Sequence, residues 1–106
     1  MKIIEERGDS AKYEVTVYDE DGVIADITGY TATMTVRIGS IDGTVLFTKT
    51  GTITTPTSGI ILFTILKTDM TTIGTNYYDV EITNGTDVHT VILPSIFQIN
   101  NDVTRI

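Results

Sequence analysis

The stretch Thr31-Ala32-Thr33-Met34-Thr35-Val36-Arg37-Ile38 alternates polar and apolar side chains over its whole length. All its apolar residues are at even positions, and its threonines and arginine are at odd positions. Successive side chains of a β-strand point to opposite sides of the sheet. The stretch therefore predicts a strand with one face on a core and the other face in water.

The same alternation continues outward from this stretch. It is clear in residues 11–18 and 77–82, and shorter or more mixed strands are predicted at 2–6, 23–27, 44–54, 60–67 and 87–99. Turn dipeptides separate these segments, and one of them, Asn84-Gly85, predicts a type I′ hairpin. Threonine, isoleucine and valine together make up 46 of the 106 residues, and these side chains favour strands. We predict an all-β chain, a single domain over residues 1–106, built as an antiparallel β-sandwich of about seven to eight strands.

Composition excludes several classes of partner. The net charge of -7 disfavours nucleic acid, because binding to phosphates requires basic side chains that neutralise them. The longest apolar run, residues 59–63, is far shorter than a membrane span. Without cysteine, the fold has no disulfides. We expect no nucleic acid, no membrane, and synthesis in a reducing cytoplasm.

The chain also lacks the residues of a catalytic or metal site. His89 is the single histidine, and acid–base catalysis requires a positioned partner. The acidic turn Asp19-Glu20-Asp21 lacks the spaced ligands of a calcium loop. We predict no enzymatic activity, no catalytic residue, no metal and no cofactor.

An apolar excess on two strands predicts an interface. In residues 60–66 both faces of the strand are apolar, and Val91-Ile92-Leu93 shows the same two-sided character. A sandwich sheet buries only its inner face, so the outer residues are either covered by another part of the chain or contact another protein. The predicted partner interface consists of Ile60, Leu62, Leu66, Val91 and Leu93.

The order of several short elements resembles a known family. Gly8-Asp9-Ser10 precedes the first alternating strand, Asp19-Glu20-Asp21-Gly22 ends it, and Asp26-Ile27-Thr28-Gly29-Tyr30 follows. Later come Gly74, Tyr78-Asp79-Val80-Glu81-Ile82 and a final Phe97-Gln98-Ile99. This order resembles the N-terminal immunoglobulin-like domain of the phage baseplate upper protein family. The resemblance implies an immunoglobulin-like sandwich in a bacteriophage virion.

From these observations we predict a non-enzymatic structural or adaptor component of a phage particle. It would bind other virion proteins, as a homo-oligomer within a symmetric assembly. Three locations stay open: the tail or baseplate, a capsid decoration, and a head fibre. The alternative is a carbohydrate-binding or host-attachment module, which would present Tyr18, Tyr30 and Tyr77 on one exposed face.

Overall fold

The computed structural model describes residues 3–6, 11–66 and 68–100. The Gly8-Asp9-Ser10 element of the family resemblance lies outside these described residues. The described chain forms strands and one 3₁₀ turn at Pro56–Ser58. The strands are β1 (Ile3–Glu6), β2 (Ala11–Thr16), β3 (Thr31–Ile38), β4 (Val45–Thr50), β5 (Ile60–Ile65), β6 (Gly74–Thr83) and β7 (Val88–Asn100).

These strands form two sheets. The larger sheet has the order β1-β7-β6-β3-β4, and the smaller sheet pairs β2 with β5. Buried side chains from both sheets form a single hydrophobic cluster between them. The predicted β-sandwich is therefore confirmed. One strand pair departs from the antiparallel prediction, because β1 runs parallel to β7.

Strand β3 shows why the alternating pattern produces this fold. Its inward residues Ala32, Met34 and Val36 are fully buried, and Met34 lies opposite Val80 on β6. The threonines of the outer face lie at exposed or half-buried positions. Ile38, at the end of the strand, is exposed, so the buried stripe ends one alternation earlier than the sequence predicts.

Phe97 lies at the centre of the core. Its ring makes edge-to-face contacts with three other rings, from Tyr13, Phe47 and Tyr78, at centroid distances of 6.4, 6.0 and 5.9 Å. Edge-to-face geometry lets the positive edge of one ring meet the negative face of another. Since these rings come from four different strands, Phe97 connects the two sheets.

The chain crosses between the layers directly after β4. Thr52 and Leu62 exchange two backbone hydrogen bonds, at 2.8 and 2.9 Å. A Cβ atom at the preceding residue, Gly51, would overlap the side chain of Ile61 on β5. Lys49 on β4 forms an ion pair of 2.7 Å with Asp69 after β5. These contacts hold the edge of the larger sheet against the smaller one.

The turn between β6 and β7 differs from the prediction. A type I′ turn needs positive φ at both central residues. Here φ is positive at Gly85, at 93°, but not at Asn84. The connection instead spans residues 84–87. The side-chain oxygen of Asn84 accepts hydrogen bonds from the backbone N–H groups of Thr86 and Asp87, at 2.9 and 2.8 Å. The type I′ prediction is wrong because the asparagine side chain organises a longer loop.

Two further local features are one predicted strand and a proline within β7. The predicted strand at 23–27 is reduced to one bridge, between Ile24 and Tyr18. Pro94, which lacks an N–H donor, lies in β7 beside a register shift between Tyr78 and Val80. It also lies outside the segment of β7 that pairs with β1. A proline is tolerated there because the ladder is already interrupted.

Candidate functional site

Three of the predicted interface residues lie on or next to β5. Ile60 and Leu62 are 37% and 36% exposed, and Leu66, directly after the strand, is 47% exposed. They alternate with buried residues that face the larger sheet. We call the set Ile60, Leu62 and Leu66 the β5 patch. It lies on the outer face of the two-stranded sheet, the face that points away from the core.

The polar neighbours of the β5 patch come from β2. Glu14 lies opposite Leu62 and Thr16 lies opposite Ile60. Beyond the strand end, the backbone N–H of Leu66 donates a hydrogen bond of 2.8 Å to the Asp69 carboxylate. Asp69 thus holds the backbone of Leu66 in place. The same carboxylate oxygen forms the ion pair with Lys49.

The other two predicted interface residues are on the larger sheet. Leu93 on β7 is 73% exposed, whereas Val91 is half-buried and packs against the core. The structure therefore groups Ile60, Leu62 and Leu66 and separates them from Val91 and Leu93 by placing the two sets in different sheets.

The three tyrosines of the alternative prediction are not on one exposed face. Tyr18 and Tyr30 line the same groove at one end of the sandwich. Tyr77 lies on β6, beside a shallow depression that also includes Arg37 and Pro94. A flat sugar-binding platform of three rings is therefore not formed.

The groove between Tyr18 and Tyr30 combines residues that sequence patterns do not connect. It has a volume of about 510 Å³, within the size range of ligand pockets in proteins. The ring of His89 also lines it, at 6.1 Å from the ring of Tyr30. The groove is assembled from residues 16–20, 25–27, 30, 82 and 89–91. Because these segments are far apart along the chain, no local motif reveals it.

Two carboxylates at the groove are held by local hydrogen bonds. Asp19 accepts from the backbone N–H groups of Asp21 and Val23, at 2.9 and 3.0 Å. Asp26 accepts from both the hydroxyl and the backbone N–H of Thr28. These hydrogen bonds from Thr28 hold the pKa of Asp26 below its usual value, because they stabilise the charged form.

The described residues do not assemble a metal site. No group of three or more His, Cys, Asp or Glu side chains within them is placed to hold a metal ion. In the same part of the chain, no helix has the length and apolarity needed to cross a membrane.

A further apolar surface was missed in the sequence. Ile41 lies in the turn between β3 and β4, and it is exposed, as are Ile38 and Val45 on the flanking strands. The signal was present in the sequence, since a large aliphatic residue inside the polar turn Ser40-Ile41-Asp42-Gly43 is unusual.

Comparison with known proteins identifies the family. A solved structure, the N-terminal domain of phage TP901-1 ORF48, is similar in fold, with a TM-score of 0.58 and 10% sequence identity. The similarity covers 96% of this chain and 85% of that one. The model of the BppU N-terminal domain, the baseplate upper protein N-terminal domain, matches residues 1–104. The chain belongs to this family.

Membership of the BppU N-terminal domain family confirms the resemblance predicted from the sequence. It is a family of phage baseplate structural domains and supports a structural role in the virion. A search of curated proteins found no match.

Proposed function

We propose that this BppU N-terminal domain is a non-enzymatic structural and adaptor component of a phage baseplate, and that it binds other virion proteins through the β5 patch. Its family supports the virion role and favours the baseplate over a capsid decoration or a head fibre. The observation that carries the binding mode is the exposure of Ile60, Leu62 and Leu66 on the outer face of the smaller sheet.

The energy available from the β5 patch is modest. Full burial of an isoleucine or leucine side chain stabilises by about 1.5–3 kcal/mol. The three side chains are between 36% and 47% exposed, so covering them contributes roughly 2–4 kcal/mol in total. One such contact gives weak binding. Several copies in a symmetric assembly would bind firmly, because linked contacts act at high effective concentration.

The proposal includes Val91 and Leu93 as contacts on the larger sheet. A single partner that touched both them and the β5 patch would have to reach both layers of the sandwich. Two neighbouring subunits in a symmetric assembly would satisfy both sets with separate surfaces. Leu93, the more exposed residue, is the better position at which to test this second contact.

The test is to introduce charge on the β5 patch in the phage that carries the chain. Leu62→Asp should reduce the fraction of particles with complete baseplates, counted in negative-stain images, because the partner would bury an unpaired carboxylate. Val88→Asp is the matched control, since Val88 is an exposed aliphatic residue on the larger sheet. Thermal unfolding of both purified variants checks that each retains the fold.

Two results would contradict the proposal. Complete baseplates in normal numbers with Leu62→Asp would exclude the β5 patch as the contact. An equal loss with Val88→Asp would show that assembly responds to surface charge in general. The mass of the purified chain in solution, measured by light scattering, tests the predicted homo-oligomer separately.

A further inference from the structure

The groove at the end of the sandwich has an apolar floor. Val17, Ile27 and Ile82 are buried beneath it, and Val91 packs against the core from β7. Ala25 and Val91 also line the groove and are only half-buried, so they expose aliphatic surface there. A ligand that enters the groove therefore meets aliphatic surface.

The rim of the groove is acidic. Asp19, Glu20 and Asp26 line it, and among the residues that the structure describes the lining includes no lysine or arginine. The chain as a whole carries a net charge of -7. Three like charges at one rim attract a cation and repel an anion over about 8–10 Å at physiological salt.

Two tyrosine rings complete the rim. Tyr18 is 60% exposed, so its ring contributes little to the core and is available to a ligand. Tyr30 is half-buried and its ring lies against His89. The face of a tyrosine ring attracts a guanidinium or ammonium group that lies within about 6 Å of the ring centre. The aromatic and the acidic groups of this rim therefore both favour a positively charged ligand.

We propose that this groove binds an arginine side chain on a segment of a neighbouring virion protein. The aliphatic stem of the arginine lies over Ala25 and Val91, and its guanidinium stacks on a tyrosine and pairs with the carboxylates of Glu20 or Asp26. Arginine fits better than lysine, because its planar, weakly hydrated head both stacks on rings and pairs with carboxylates. The identity of the partner as a virion protein rests on the proposed function, whereas the groove's chemistry does not.

The experiment uses N-acetyl-arginine amide as the probe and the isosteric, neutral N-acetyl-citrulline amide as its control. Each is titrated into the isotope-labelled protein, and backbone amide shifts are followed by NMR. The arginine probe should shift residues 17–20, 25–30 and 89–91, and the citrulline probe should bind at least several-fold more weakly. Glu20→Gln combined with Asp26→Asn should weaken arginine binding by about fivefold, as two exposed ion pairs allow.

Asp42→Asn is the matched control variant. Asp42 is exposed in the turn between β3 and β4, so its neutralisation changes the net charge without changing the groove. The inference fails if Asp42→Asn weakens binding as much as the groove variants do, or if citrulline binds equally well. It also fails if N-acetylglucosamine shifts the groove residues while the arginine probe does not, since that result assigns the groove to carbohydrate.

A third arm separates this inference from the proposed function. Leu62→Asp should leave binding of the arginine probe unchanged, because Leu62 does not line the groove. If the probe fails to bind while Leu62→Asp still prevents baseplate assembly, the groove inference is wrong and the β5 patch stands. If the probe binds and the Leu62→Asp phage assembles normal baseplates, the groove inference stands and the β5 patch proposal is wrong.

Discussion

Replacement of Gly59 by alanine should destabilise the fold far more than the same change at Gly22. Both glycines have positive φ, 65° and 78°, a conformation that costs an L-residue about 1–2 kcal/mol. At Gly22 no atom of the described part of the chain lies within 4 Å of the added Cβ. At Gly59 the Cβ would lie 2.8 Å from the carbonyl oxygen of Ala25 and 2.9 Å from that of Val17. These are backbone atoms, so the backbone of the neighbouring segment, residues 17–25, must move.

The expected magnitudes follow from this difference. Gly22→Ala should lower the free energy of unfolding by about 1 kcal/mol, the backbone cost alone. Gly59→Ala should lower it by about 3 kcal/mol, because steric overlap typically adds 1–3 kcal/mol. For a chain of 106 residues, total stability is on the order of 5–15 kcal/mol, so both variants should still fold. Urea unfolding of the purified variants measures the difference, with the slope of each transition checked for two-state behaviour.

Two results with these variants would contradict this explanation. Equal losses at the two positions would mean that the approach of Gly59 to Ala25 and Val17 carries no stability. A loss below about 1 kcal/mol at Gly59 would mean that the hairpin relaxes at little cost. If the account is right, the amide signal of Ala25 should shift in Gly59→Ala and stay in place in Gly22→Ala.

Three further outcomes are expected. Phe97→Leu should cost about 2–4 kcal/mol in unfolding free energy, since it removes three aromatic pairs, whereas Phe47→Leu removes one pair and should cost clearly less; equal costs would contradict the central role of Phe97. A double-mutant cycle with Lys49→Met and Asp69→Asn should give a coupling of about 0.5–1 kcal/mol, and no coupling would mean that the ion pair does not hold the layers together. Burial raises the pKa of Tyr78 above its ordinary value of 10.0, so the unfolded chain loses this proton first and stability should fall as the pH rises above 10.0. Alkaline unfolding curves should show a smaller fall in Tyr78→Phe, and an unchanged fall would assign the effect to another group.

The sequence predicts the faces of the long strands well. On β3 the buried residues Ala32, Met34 and Val36 are those that alternation places together. On β5 the same rule separates buried Ile61 from exposed Leu62. The rule works there because register in a half-buried sheet is fixed by which side chains must leave water.

What the sequence does not predict depends on contacts between distant segments. The parallel pairing of β1 with β7 joins the two ends of the described chain, and no local pattern encodes it. The groove likewise needs Tyr18, Tyr30 and His89 to come together from three segments. At Asn84 the failure is local, because a side-chain hydrogen bond replaces the backbone turn that the dipeptide favours.

The parallel pairing of β1 and β7 has a mechanical consequence. Residues Ile3 to Glu6 run alongside Phe97 to Asn100 in the same direction, so the start of one strand and the end of the other lie at opposite ends of the pair. A tension applied between residue 3 and residue 100 would pull the two strands along their length, past each other. All the hydrogen bonds between the two strands would then bear this force at once, and they would not open one after another. The geometry therefore resists stretching between residues 3 and 100 along the direction of these two strands.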